Sequence, residues 1–172
     1  MPKHGPCRLQ NYLSIHETVF RQFVDSGFIG SDTLAIERFG PNIYLGGQVG
    51  CLGGIIVSVM KKIAILNHEP DPFVQTEMYS YNASIAGRGS IFRYDNQHPD
   101  NLHPGHQDPH HKHLFDWKSS EELEGSPIWL GETAWPTLGE VMEELRTWHS
   151  DHYASLPRPD EFPTELGFGF RA

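Results

Sequence analysis

The sequence is poor in cysteine. Cys7 and Cys51 are its only two, far apart in a chain of 172 residues. They form neither a CxxC element nor a disulfide framework, which fits a reducing compartment. Neither lies among the polar residues at the centre of the chain, so neither is read as a nucleophile. Long apolar runs are missing too. The longest apolar region, Gly53 to Leu66, is broken by Ser58, Lys61 and Lys62 and is not built to span a bilayer. The opening MPKHGPCRLQ has no signal-like apolar core, so the expectation is a cytoplasmic protein with no membrane attachment. Basic charge is also scarce: 13 Lys and Arg stand against 22 Asp and Glu, a net charge of −9. That excludes a broad basic surface for gripping duplex DNA. The imbalance lies between Ser119 and Glu165, where acids face only Arg146 and Arg158, and the remainder is balanced. A small nucleic-acid site aided by partly protonated histidines is compatible with this distribution. The acidic stretch suits a basic partner protein. Finally, Gly46, Gly47, Gly50, Gly53 and Gly54 follow neither a GxGxxG nor a Walker pattern, which excludes a phosphate cradle.

What is present reads as consecutive strands with a helix at each end. Leu13, His16, Val19, Phe20, Phe23 and Val24 recur at helical spacing, predicting a helix over 14–26 with Ser14 and Glu17 as a capping box and Gly27 as its stop. Phe28 to Asp32 reads as a turn and 33–39 as a strand. The glycine-rich 43–54 reads as a bulged or bent hairpin. Ile55 to Ile65 alternates at period two with many β-branched residues, predicting a long strand. Phe73 to Ile85 alternates as well, turns at 87–89 and returns through Ile91 to Tyr94 as a hairpin. After a loop at 96–109, strands are predicted over 111–117 and 128–130. Leu138, Val141, Met142, Leu145 and Trp148 form an amphipathic helix, capped by Thr137 with Glu140. The expected class is α+β: a mainly antiparallel sheet with an N-terminal and a C-terminal helix packed on one face. A single domain over 1–172 is expected, with an arm at 1–10 and a Pro-rich tail at 154–172 that are peripheral.

The chemistry concentrates in SIFRYDNQHPDNLHPGHQDPHHKHLFDW, from Ser90 to Trp117. It holds six of the eleven histidines between apolar anchors. On a strand, His111 and His113 face one side roughly 7 Å apart, while His110 and Lys112 face the other. Two chemistries remain open for this pair. A third donor from Asp95, Asp108 or a loop histidine completes a divalent metal site, Zn or Mn, in a metal-binding protein or metal-dependent hydrolase. Alternatively the imidazoles act as general acid and base in RNA cleavage, with no cofactor. Arg93 and Lys112 then steady the phosphate, and Asp95 orients a histidine. Tyr94 reads equally as core or as substrate contact. His98, His103 and His106 read as loop surface, and His16, His68, His149 and His152 as structural. A non-enzymatic interaction module, docking a partner through its neutral sheet and acidic helix, is the third alternative.

Three fragments carry a family resemblance: Phe92-Arg93-Tyr94-Asp95-Asn96, then Pro109-His110-His111-Lys112-His113, then a helix opened by WPTLGEVMEEL. Together they span about Met78 to Trp148 and resemble the TumE family of bacterial toxin–antitoxin toxins. The resemblance implies a small toxin acting on RNA as a ribonuclease, made beside a helix-turn-helix antitoxin that neutralises it. It places Arg93, Asp95, His110, His111 and His113 as the catalytic candidates; Lys112 and Tyr94, read from their residue types, stand beside them as substrate contacts. The chain departs from the compact family pattern in its longer loop between Asn96 and Pro109, its acids at 121–124 and its Pro-rich tail, a feature that also suits a partner or a homo-oligomer.

Overall fold

A computed structural model of the chain describes residues 3–96 and 109–168. Among these, nine strands form one antiparallel sheet and two helices accompany it, the expected α+β arrangement. In chain order the elements are β1 (Cys7–Arg8), α1 (Leu9–Asp25), β2 (Ile29–Asp32), β3 (Ala35–Phe39), β4 (Asn42–Cys51), β5 (Ile55–Ile65), β6 (Phe73–Ile85), β7 (Ser90–Asp95), β8 (His111–Leu114), β9 (Ile128–Trp129) and α2 (Leu138–His152). The sheet runs β2-β4-β5-β6-β7-β8-β9, with β3 beside β4 and β1 beside β6. Among the described residues, no helix is long and apolar enough to cross a membrane.

Alternation along β4 to β7 decides which way the sheet faces. Leu45, Val49, Val57, Val59, Tyr79, Tyr81, Ala83, Phe92 and Tyr94 share one face and are buried. Phe23 of α1 and Leu138, Val141, Met142 and Leu145 of α2 join the same cluster, so both helices cover that face. Each helix brings a stripe of apolar residues at i, i+3, i+4 spacing, and burying the stripe stabilises it far more than propensity does. The α2 start is as expected. Thr137 accepts from the Glu140 amide, and Glu140 accepts from the Thr137 amide at 2.7 Å. Such a cap contributes about 1 kcal/mol.

Several boundaries differ from the sequence reading. α1 begins at Leu9 rather than residue 14, so Ser14 and Glu17 lie inside the helix and form no cap. Its first amides are satisfied from a distant turn: Leu9 donates to the Pro72 carbonyl at 2.8 Å and Gln10 to Asp71 Oδ1 at 3.0 Å. No local pattern reveals such a tertiary cap. Just before it, Cys7 and Arg8 pair with Val74 and Phe73 at the end of β6. Gly27 does close the helix, with φ of 74°. Ile29 to Asp32, read as a turn, is a strand paired with β4. Asn42 to Cys51 is one strand followed by a short 3-10 turn, not a bent hairpin. β8 stops at Leu114, three residues early, and Phe115 makes only an isolated bridge with Glu122.

The glycines in β2 and β4 are explained by close approach. On the face opposite the helices, a Cβ at Gly30 would sit 2.5 Å from the Phe162 ring, and one at Gly50 2.9 Å from Pro163. The Pro-rich tail therefore lies across these strands. It is held by a hydrogen bond from Thr33 Oγ1 to the Gly167 carbonyl at 2.7 Å and from the Gly54 amide to the Glu161 carbonyl at 2.9 Å. His149 Nε2 donates to the Pro159 carbonyl at 2.7 Å, tying α2 to the same tail. Substituting Gly30→Val should lift the tail and destabilise the protein by about 1–3 kcal/mol, the usual cost of overpacking. A glutamate-specific protease acting at Glu161 and Glu165 checks this, with cleavage expected to be faster in the variant.

Candidate functional site

The antiparallel register of β7 and β8 sets Arg93 opposite His113 and Asp95 opposite His111. These four side chains share the face turned away from the helices, because the intervening Tyr94 reaches Glu144 of α2. Asn96 fixes the end of β7 by accepting from the Tyr79 amide at 2.9 Å and donating to the Glu77 carbonyl at 3.0 Å. Asp95 and His111 are almost fully covered, at 3% and 1% exposure. The Arg93 side chain keeps 39% and that of His113 15%. The cluster thus has two buried members and two that reach solvent.

Its hydrogen bonds assign protons. Arg93 Nε donates to Asp95 Oδ2 at 2.7 Å, and His111 Nε2 lies 3.0 Å from Asp95 Oδ1. On its other side His111 Nδ1 is 2.8 Å from the Pro109 carbonyl, which only accepts, so Nδ1 carries a hydrogen. With Nε2 facing a carboxylate, the ring is stable as the imidazolium. The Asp95 interaction raises the His111 pKa above its ordinary value, against the opposing effect of burial. Burial alone would raise the Asp95 carboxyl, yet His111 and Arg93 outweigh it and push the carboxyl down to about 2.

His113 stands with its ring centroid 4.9 Å from that of His111, edge to face. Its Nδ1 is 2.6 Å from Glu122 Oε1, which also accepts from Ser126 Oγ at 2.6 Å. Glu122 accepts from the His113 Nδ1–H and leaves Nε2 as the nitrogen not engaged by it. Ser126, then His113, keep the Glu122 carboxyl below its usual range. Sequence reading missed Glu122 as a site residue. It lies nine residues from His113 in an acidic stretch, and only the Phe115–Glu122 bridge brings it back.

The remaining candidates separate from this cluster. Lys112 and Tyr94 face the helices, where Glu144 Oε2 accepts from the Tyr94 hydroxyl at 2.6 Å and Glu144 pairs with Lys112. His110 stacks on Trp135, ring centroids 5.3 Å apart, and its Nδ1 is 3.2 Å from the Tyr79 hydroxyl. His98, His103, His106 and Asp108 fall outside the described residues. His16 is pushed down to about 4, chiefly by burial, and Cys51 is pushed up to about 12 by the same cause. One donor atom each from Asp95, His111 and His113 lies within 4.8 Å of the others. A carbonyl on Nδ1 is also how metal-ligating histidines are oriented to bind through their other nitrogen. An ion there would share the Asp95 carboxylate with Arg93.

Comparison with known proteins gives one match. The family model described as Toxin TumE covers residues 17–149, and the chain belongs to that family. Membership makes it a toxin and implies an antitoxin partner. No curated protein and no solved structure matches the chain.

The proton assignment has a definite pH signature. Asp95, held below 3.8, stabilises the fold above that pH, and the contribution disappears as pH falls toward about 2. His111, held above 6.5, contributes fully below 6.5 and loses its contribution as pH rises past its raised value. The pair is therefore strongest between 3.8 and 6.5 and weakens on the alkaline side. In an NMR titration the His111 ring should deprotonate above 6.5, and Asp95→Asn should bring it below that value. Urea melts of the same variant should show a loss on the order of 3 kcal/mol, since one partner of a buried ion pair is removed. A parent ring titrating at or below 6.5 would contradict the assignment.

Proposed function

We propose that this TumE-family toxin is an endoribonuclease that works without a metal, through His113 and Arg93 on the open face of the sheet. The observation that supports this most is the pair of adjacent imidazoles held by two different carboxylates, His111 by Asp95 and His113 by Glu122. His111 is thereby held charged beside Asp95, and His113 is oriented so that Nε2 is left for proton transfer, the acid–base role that RNA cleavage needs.

In this reading His113 Nε2 takes the proton of the ribose 2′-hydroxyl as that oxygen attacks the adjacent phosphorus. Glu122 stabilises the imidazolium so formed. Arg93 holds the phosphoryl oxygens, whose charge grows as the pentacoordinate state forms. Asp95, which accepts from Arg93 Nε, positions the guanidinium. A proton must also reach the departing 5′-oxygen; His111, buried and with both ring nitrogens engaged, does not touch that oxygen, and solvent water is the donor. The products are a 2′,3′-cyclic phosphate and a free 5′-hydroxyl. The neutralising partner in this reading is a helix-turn-helix antitoxin.

A second reading rests on its own observation, the three donor atoms of Asp95, His111 and His113 within 4.8 Å. It makes the protein a metal-dependent hydrolase holding Zn or Mn. The two readings part on simple measurements. The parent should arrest growth when expressed and should cut single-stranded RNA in the presence of EDTA, leaving cyclic phosphate ends. His113→Ala should lower cleavage by about 10²–10⁴-fold, the usual worth of a general acid–base residue. Glu122→Gln should lower it less and move the pH profile. Near-stoichiometric Zn or Mn in the parent, lost from His111→Ala with His113→Ala, would replace the first reading with the second. Intact RNA without any bound metal would overturn both.

A further inference from the structure

On the opposite side of the sheet, a cavity of about 310 Å³ lies between α1, α2 and the strands beneath them. Its walls are mostly apolar and aromatic, including Tyr12, Phe20, Phe23, Trp135 and Met142. A chain with a net charge of −9 contributes no acid to them, yet Lys3, His4, His16 and Lys61 all line the space. Lys3 is paired with Glu140 at 2.7 Å. Lys61 is not paired with any carboxylate among the described residues.

Lys61 sits in the helix-facing row of β5, opposite Leu45 on one side and Tyr79 on the other. It is 7% exposed, with its amine 4.8 Å from the centroid of the Tyr12 ring. The neighbouring Tyr81 hydroxyl is fully buried and shares a hydrogen bond with the Lys61 amine. Burial opposes the charge on Lys61, but Tyr81 and Tyr12 outweigh that effect and hold the amine above its ordinary value. His4, Cys7 and His16 all feel its charge. A buried cation with no counterion is costly unless an anion joins it. An apolar cavity with one such polar group is the usual form of a small-molecule site.

We propose that this cavity binds a small carboxylic acid with an aromatic or aliphatic body, its carboxylate meeting the Lys61 ammonium. The cavity volume lies at the small end of ligand sites, which limits the guest to a compact acid. Val19 and Gly139 line the cavity where the two helices pack closely, a Cβ on Gly139 being 2.5 Å from Val19. The cavity lies on the helix-covered face, remote from His113 and Arg93.

The test uses the full-length protein with 3-phenylpropionate and octanoate, beside 3-phenylpropionamide and octanamide as neutral counterparts of the same shape. Calorimetry should show each acid binding at least tenfold more tightly than its amide, and Trp135 fluorescence should change as the cavity fills. Lys61→Met, similar in shape but uncharged, should abolish the preference for the acid. Val19→Trp, which fills the cavity from its wall and leaves Lys61 in place, should abolish binding of both. Equal binding of acid and amide would overturn the proposal and mark the cavity as a purely apolar seat. So would an absence of binding by any of the four probes at millimolar concentration, or an unchanged acid preference in Lys61→Met. The acid–amide comparison on the parent decides the matter even where Lys61→Met fails to fold.

Discussion

A carboxylate at 3% exposure cannot stand alone in a protein, and Asp95 does not. It sits where two strands and two cations meet, with Arg93 two residues along its own strand and His111 across the ladder. Burial would favour the neutral acid, and these partners keep it ionised. The arrangement on the outer face follows from that requirement. His111 is held charged, its ring is turned so that Nδ1 meets the Pro109 carbonyl, and Arg93 is drawn along the strand. His113 is then left to find a different carboxylate, which Glu122 supplies.

The same two strands build a second cluster on their other side. Tyr94 and Lys112 converge on Glu144, and His110 stacks into the Tyr79–Trp135 pair. This cluster docks α2 against the part of the sheet that carries the outer site. The helix face is thus concerned with holding β7 and β8 in place, and the outer face with the chemistry proposed above. Glu144 also shows why α2 is not a plain acidic surface. Its side chain is committed to internal partners, and Glu143 is occupied by Arg146 at 2.7 Å.

Much of this was legible in the sequence, and the limits have physical causes. Period-two alternation in Ile55–Ile65 and Phe73–Ile85 marks the two central strands, because one face is buried from Ile55 to Ile63 and from Tyr79 to Ile85. The Thr137–Glu140 box marks α2 because its signal is local. The His111–His113 pair and its facing Arg93 and Asp95 follow from strand parity alone. What sequence could not supply is anything dependent on a distant partner. Asp71 caps α1 from another turn, and Phe162 and Pro163 account for Gly30 and Gly50. Glu122 reaches His113 only through a non-local bridge. Lys112 and Tyr94 carried suitable chemistry, but parity sends them to the helix face.

The β7–β8 pairing has a further meaning as a register key. A slip of one residue between two antiparallel strands turns every side chain of one strand to the other face. Here the slipped state would press His111 and His113 into an apolar core and lift Lys112 away from Glu144. Asp95 would remain buried with Arg93 as its only cation. Such a state loses on both faces at once, so misaligned pairing is penalised before any substrate is met. The charged residues that make this edge of the sheet reactive also proofread its assembly.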